Sequence, residues 1–86
     1  MKGTAPTYRY IVRTPGVRGG HPRVEGTRIA VHDVVAYHLL GNSVEEIAGR
    51  FDDLTLSRIY ECLAFYEDHR EEIEKLALES IETRDS

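Results

Sequence analysis

The chain has 86 residues, of which 41% are hydrophobic and 30% charged, with 7 Gly, 3 Pro and a formal net charge of -4. A chain of this length makes one domain that buries only about 60–65% of its unfolded surface, so a large enzyme with a deep pocket does not fit it, and the composition is globular, neither disordered nor fibrous. Cys62 is the lone cysteine, no apolar run nears a membrane span, and Met1–Thr7 lacks the apolar core of a secretory leader, which together point to a bacterial-type cytoplasmic protein.

The first predicted element is a short strand at Tyr8-Arg9-Tyr10-Ile11-Val12, which alternates and is rich in β-formers. Pro15-Gly16 and Gly19-Gly20 are turn residues, and a second extended piece follows around Arg23-Val24 and Thr27 to Val31, giving a β-hairpin. A hairpin alone is marginal in water, so it must pack on helices or on a second chain, which is one argument for a homodimer. From Val31 the period becomes helical. Val31, Val34, Val35 and His38 or Leu39 share one face until Gly41-Asn42 caps a first helix of roughly Val31 to Leu40. Ser43-Val44-Glu45-Glu46 has the form of a capping box and starts a second helix, with Val44, Ile47 and Ala48 inward, that gives out near Gly49-Arg50-Phe51. Asp52-Asp53 makes a tight turn, and Thr55 is the N-cap of a third helix from Leu56.

That third helix meets no Gly or Pro before Thr83. Leu56, Ile59, Leu63 and Tyr66 form the apolar stripe of its first half, and Ile73, Leu76, Ala77 and Ile81 that of its second, with a polar interruption at Asp68 to Glu72 where it either bends or runs straight through. The sequence therefore divides into a hairpin-plus-helices domain over residues 1–69 and a charged helical extension over 70–86. The seam of Ile73, Leu76, Ala77 and Ile81 is too long for so small a domain to cover, and reads either as a partner-binding surface or as a tail supported by pairs such as Glu71 with Lys75. The fold class is mostly α: a homeodomain-like three-helix helix-turn-helix, preceded by a short β-hairpin and followed by a long C-terminal helix.

Charge is split unevenly along the chain. Residues 1–40 hold six basic and two acidic groups, a balance of +4, whereas residues 41–86 hold five basic and thirteen acidic groups, a balance of -8. Such a split suggests a basic N-terminal surface able to meet a polyanion and an acidic C-terminal face, or else pairing between the two halves. In a helix-turn-helix the first turn of the second helix enters the major groove, which would bring Thr55, Ser57, Arg58 and Glu61 to bases or phosphates, with Arg50 at the end of the preceding helix adding charge. Other chemistry finds little footing. His32 and His38, six apart on a helix, lie on different faces, and His21, Cys62 and His69 make no short ligand pair, so no metal site or cofactor is expected. His38 reads as a partly buried packing residue and Cys62 as an inert core thiol, no loop has phosphate-binding form, and the protein reads as non-enzymatic, with no catalytic residues.

The run Gly19-Gly20-His21-Pro22-Arg23-Val24-Glu25-Gly26-Thr27-Arg28-Ile29-Ala30-Val31, with Gly41, Ser43, Glu45-Glu46-Ile47, Leu54-Thr55 and Ala64-Phe65-Tyr66 after it, resembles a small prokaryotic domain-of-unknown-function family marked by a Gly-Thr-Arg-Ile signature and described as VapB-type antitoxin-like. The resemblance covers roughly Tyr10 to Ile73. It implies a homeodomain-like helix-turn-helix after a short β segment, a homodimer, and a PIN-domain ribonuclease toxin encoded beside it; joined to the residues above, this reads as an antitoxin-like regulator that binds its own promoter DNA and engages the toxin through Ile73, Leu76, Ala77 and Ile81. The signature also reads structurally, with Gly26 permitting a turn, Thr27 bonding it, and Arg28 clamping a carboxylate such as Asp33, Glu46 or Asp53. The alternative function is a protein-interaction or oligomerisation module that does not bind DNA.

Overall fold

The computed structural model describes residues 7–85. The reading of Met1–Thr7 as no leader therefore falls, but for Thr7, outside the described residues. Strand β1 is only Ile11–Val12 and pairs antiparallel with β2, Arg23–Val24, in the register Ile11 to Val24 and Val12 to Arg23. The expected five-residue strand is shortened because Arg9 and Tyr10 give their N–H groups to the Glu61 carboxylate and not to a neighbouring strand. The signature turn forms as read: Gly26 sits at φ 84°, Thr27 N–H and Oγ1 both reach the Val24 carbonyl, and Thr27 Oγ1 accepts from Ile29 N–H.

Four helices follow: α1, Val31–Leu39; α2, Val44–Arg50; α3, Leu56–Asp68; and α4, Arg70–Asp85. Their boundaries have local causes. Ala30 has no side chain to cap α1, so Asp33 reaches back to the Ala30 N–H at 2.9 Å. Gly41, at φ 99°, ends α1 with its N–H on the His38 carbonyl and the Asn42 N–H on that of Tyr37, a Schellman motif. The Ser43 box closes reciprocally with Glu46 at 3.1 and 2.7 Å, and Thr55 Oγ1 accepts from Arg58 N–H at 3.3 Å.

The expected long C-terminal helix is two helices. At His69 (φ -135°, ψ 48°) the backbone leaves the helix, and α4 restarts at Arg70. The His69 ring stacks on Phe65, with ring centres 4.1 Å apart, and its Nδ1 lies 3.1 Å from the Phe65 carbonyl, so the interruption seen at Asp68 to Glu72 is a real joint.

The joint folds α4 back onto α1. Ile73 and Ala77 are fully buried in the same core as Val24, Val31, Val34, Val35, Ile47, Ile59, Cys62 and Tyr66, with Ile81 packed at its edge. This corrects the expectation that the seam lies uncovered: α1 of the same chain covers it, its main neighbours being α4 and α3. Two further expectations change. His38 is exposed, and the buried histidine of α1 is His32; Leu56 is 43% exposed, with Cys62 and Phe65 in the core in its stead. The ion pairs at the start of α4 belong to Arg70, which holds Glu67 of α3 across the joint at 2.8 Å and Glu74 within α4 at 3.7 Å.

Candidate nucleic-acid interface

The α2–α3 segment is positioned by Ile47, which is buried, and by half-buried Val44 and Ala48, which set α2 on the core. A turn closed by the Leu54 N–H on the Phe51 carbonyl carries Asp52-Asp53 at its tip and delivers the chain into α3. Thr55, Leu56 and Ser57 are exposed there. Arg50 is exposed, with its guanidinium 4.6 Å over the Tyr37 ring; Arg58 is half-buried, 4.5 Å over the Tyr10 ring, and donates from Nη1 to Thr55 Oγ1 at 3.1 Å. Stacking on an aromatic face costs a guanidinium little of its hydrogen-bonding edge, so both arginines are restrained while keeping donors for an anion.

Arg50, Thr55, Ser57 and Arg58 thus share one end of the α2–α3 pair. Glu61 does not join them as a ligand. Its carboxylate accepts from the N–H groups of Arg9 and Tyr10 at 2.9 and 2.5 Å, strapping the N-terminal segment along α3. Tyr8 continues the strap, packing on Phe65 and donating to Asp68 at 2.5 Å. Sequence reasoning missed Tyr10 and Tyr37 as platforms for the arginines, and also Tyr60, which stands 55% exposed one turn beyond Leu56. The available signal for the last was that Tyr60 falls outside the apolar stripe of Leu56, Ile59, Leu63 and Tyr66.

The basic N-terminal surface is largely consumed inside the molecule. Arg13 makes a two-pronged pair with Glu72 at 2.7 and 2.9 Å, and Arg23 donates to the Thr27 carbonyl and Thr14 Oγ1. Arg18 grips both oxygens of Asp33, at 2.6 and 3.2 Å, and the Arg28 carbonyl at 2.7 Å. The carboxylate clamp assigned to Arg28 is therefore made by Arg18; Arg28 contributes its carbonyl, is exposed, and makes no side-chain ion pair among the described residues. Over residues 43–61 five acidic groups face two basic ones.

Away from this end, His21, Glu72, Lys75, Leu76 and Glu79 line an open cleft of about 370 Å³ beside α4. Leu76 is the member of the C-terminal seam that reaches it, and is half-buried. Beside the cleft wall the His32 ring meets His21 edge-on, with centres 5.9 Å apart. Among the described residues no three His, Cys, Asp or Glu side chains stand together as a metal site. Cys62 is fully buried, and burial pushes its thiol up to about 12, leaving no thiolate at neutral pH. No described helix is long and apolar enough to cross a membrane.

Residues 11–66 match the family described as a protein of unknown function, DUF433. A crystal structure of a DUF433 member protein from Anabaena variabilis ATCC 29413 is similar in sequence and fold, with 34% identity and a TM-score of 0.74, over 79% of this chain and 67% of that one. Among curated proteins, none matches the chain.

Proposed function

This chain belongs to the DUF433 family, whose function is unknown, and we propose that it is an antitoxin-like regulator whose α2–turn–α3 unit is a DNA-binding helix-turn-helix. One observation carries the reading. The first turn of α3 is uncovered, with Thr55 and Ser57 exposed, and the guanidinium groups of Arg50, at the end of α2, and Arg58 lie over the rings of Tyr37 and Tyr10. In a homodimer two such units would meet successive turns of a palindromic site in the protein's own promoter. The partner in this reading is a ribonuclease toxin of PIN-domain type. Since Ile73 and Ala77 belong to the core, the toxin would meet the outward side of α4, where Glu71, Leu78, Glu79 and Glu82 are exposed and complement the cationic surface an RNA-cleaving enzyme must present.

The test is fluorescence anisotropy of the full chain with its own upstream DNA and with a scrambled duplex. Preferential binding to the upstream DNA is expected, weakening roughly fortyfold between about 50 and 200 mM salt if Arg9, Arg50 and Arg58 each neutralise one phosphate. Arg58→Glu should abolish that binding and leave the circular dichroism spectrum unchanged. A second reading, a protein-interaction module that leaves DNA alone, is favoured by the acidic excess over residues 43–61 and takes over if the folded protein binds neither duplex.

A further inference from the structure

The N-terminal strap lies along one flank of α3. Arg58, Glu61, Phe65 and Asp68, three or four residues apart, share that flank, and each holds part of the strap. The Arg58 guanidinium lies over the Tyr10 ring, Glu61 takes the N–H groups of Arg9 and Tyr10, and Phe65 and Asp68 take the ring and hydroxyl of Tyr8. Of the two strap arginines, Arg13 is taken up by Glu72. Arg9 is exposed, and its guanidinium lies 5.2 Å from the centre of the same Tyr10 ring that carries Arg58 at 4.5 Å. Neither Arg9 nor Arg58 makes an ion pair among the described residues. Glu61 spends both oxygens on backbone N–H groups and holds neither guanidinium. One ring thus gathers two guanidinium groups within about a Debye length of each other, about 10 Å at 0.1 M salt, so their charges add toward an anion in solvent.

We infer that the strap is an arm of the DNA interface, in which Tyr10 is the positioning residue that sets Arg9 with Arg58 against the phosphate backbone. This rests on the DNA-binding reading above and goes beyond it by adding the strap to the interface and giving Tyr10 a role there. A helix that turns its exposed face, here Ser57, toward the bases has its flanks toward the rims of the groove, where the phosphates run. Cations on a flank therefore meet phosphates and set affinity and register, not base preference. A guanidinium over a ring keeps its N–H edge for a phosphate oxygen, and the ring limits the rotamer freedom that an exposed arginine otherwise loses on binding. Glu61 then favours binding to a polyanion in spite of its charge, because it holds the backbone that carries Arg9 and Tyr10.

The experiment is fluorescence anisotropy of the full chain on its upstream duplex between about 50 and 200 mM salt, with circular dichroism and the thermal transition of each variant as the check on folding. Arg9→Gln, which leaves the backbone N–H in place, should reduce the loss of affinity over that range from roughly fortyfold to roughly twelvefold, the loss of one phosphate contact. Tyr10→Phe should behave as wild type. In Tyr10→Leu, which keeps an apolar side chain but no ring, binding should be weaker and Arg9→Gln should no longer change the salt dependence. If Arg9→Gln in the wild-type background leaves affinity and salt dependence unchanged while Arg58→Glu abolishes binding, the strap lies outside the interface; the inference fails and DNA binding stands. If Arg9→Gln acts equally with and without the ring, Tyr10 positions nothing and the inference fails in that part. Arg9→Gln, on an exposed side chain, decides whether the strap is an arm even where Tyr10→Leu does not fold. A folded wild-type chain that binds neither the upstream nor the scrambled duplex overturns both readings.

Discussion

Arg18 is a non-glycine residue at φ 50°, in the left-handed region, followed by Gly19 at 69° and Gly20 at 79°. That backbone costs an L-residue about 1 kcal/mol, and the Arg18–Asp33 fork offsets it, since a hydrogen bond to a charged group contributes about 1.5–3 kcal/mol. Asp33 is central because it also accepts the Ala30 N–H that starts α1. Burial alone would raise its carboxyl, but the Arg18 hydrogen bonds, the Ala30 N–H and the Arg18 charge outweigh burial and hold it below its ordinary 3.8. Its neighbour His32 moves for another reason. Burial, helped by Arg18 and His21 and opposed by Asp33 and Glu79, holds the imidazole below its ordinary 6.5. Both groups bind fewer protons folded than unfolded in these windows, so stability rises with pH there. The full contribution of His32 is present above pH 6.5 and is lost as pH falls through its folded value; that of Asp33 is present above 3.8 and is lost below it. Urea midpoints measured from pH 8 to 3 should therefore fall in two steps. His32→Leu should remove the upper step and Asp33→Asn should shrink the lower one, which Glu72 shares because the Arg13 hydrogen bonds hold its carboxyl below the ordinary 4.5. A single acid step untouched by His32→Leu would show that the buried imidazole carries no pH dependence.

At the scale of elements, what depends on neighbours in sequence was legible and what depends on distant partners was not. The Ser43 box, the Thr55 cap and the Gly41 cap are i,i+3 to i,i+5 events written in nearby residues, and all three form. The strand at Tyr8–Val12 was overextended because alternation cannot reveal that Glu61, 51 residues beyond Tyr10, takes its N–H. The same blindness gave Arg28 the clamp that Arg18 makes: both lie near Asp33, and only the left-handed turn before Gly19-Gly20 decides between them. In the candidate interface the positions of Thr55, Ser57 and Arg58 followed from the cap, whereas the tyrosine platforms did not, being tertiary contacts. The strap yields a prediction of its own. Glutamine at 61 keeps one acceptor oxygen but turns an amide donor toward the other N–H. In Glu61→Gln, amide hydrogen exchange at Arg9 or Tyr10 should quicken roughly tenfold, the loss of one charge-assisted bond. Global stability should change little, because Tyr8 on Phe65 and Arg13 on Glu72 remain. Unchanged exchange at both amides would mean that those two interactions alone hold the segment.

For the whole molecule the decisive relation is between α1 and α4. Val34, Val31, Val35, His32 and Ala36 are all buried, and at 100° per residue they sweep about 200° of the α1 surface, more than one neighbouring helix covers. One side of that arc meets α3, and the other requires α4, whose Ile73 and Ala77 are fully buried. The sequence displayed both apolar faces; it did not display that one closes the other, because the polar interruption at Asp68 to Glu72 fits a straight helix as well as the joint at His69 that turns the chain back. A boundary at residue 69 would therefore cut through the core. The family match ends at residue 66, so this cover over α1 comes from sequence beyond the matched region. Residues 1–69 expressed alone should show no cooperative thermal transition and should bind a dye specific for exposed apolar surface. Ile73→Ala in the full chain should lower stability by about 2–5 kcal/mol, as for a core isoleucine, and Leu78→Ala, at a 47% exposed position of the same helix, by less than about 1 kcal/mol. A cooperative transition in the truncated chain near that of the whole would make α4 a separable extension. Loss of the transition on truncation, with the Ile73 and Leu78 variants ordered by burial, makes α4 the closing wall of the core, and leaves its outward acidic side as the part able to meet a partner.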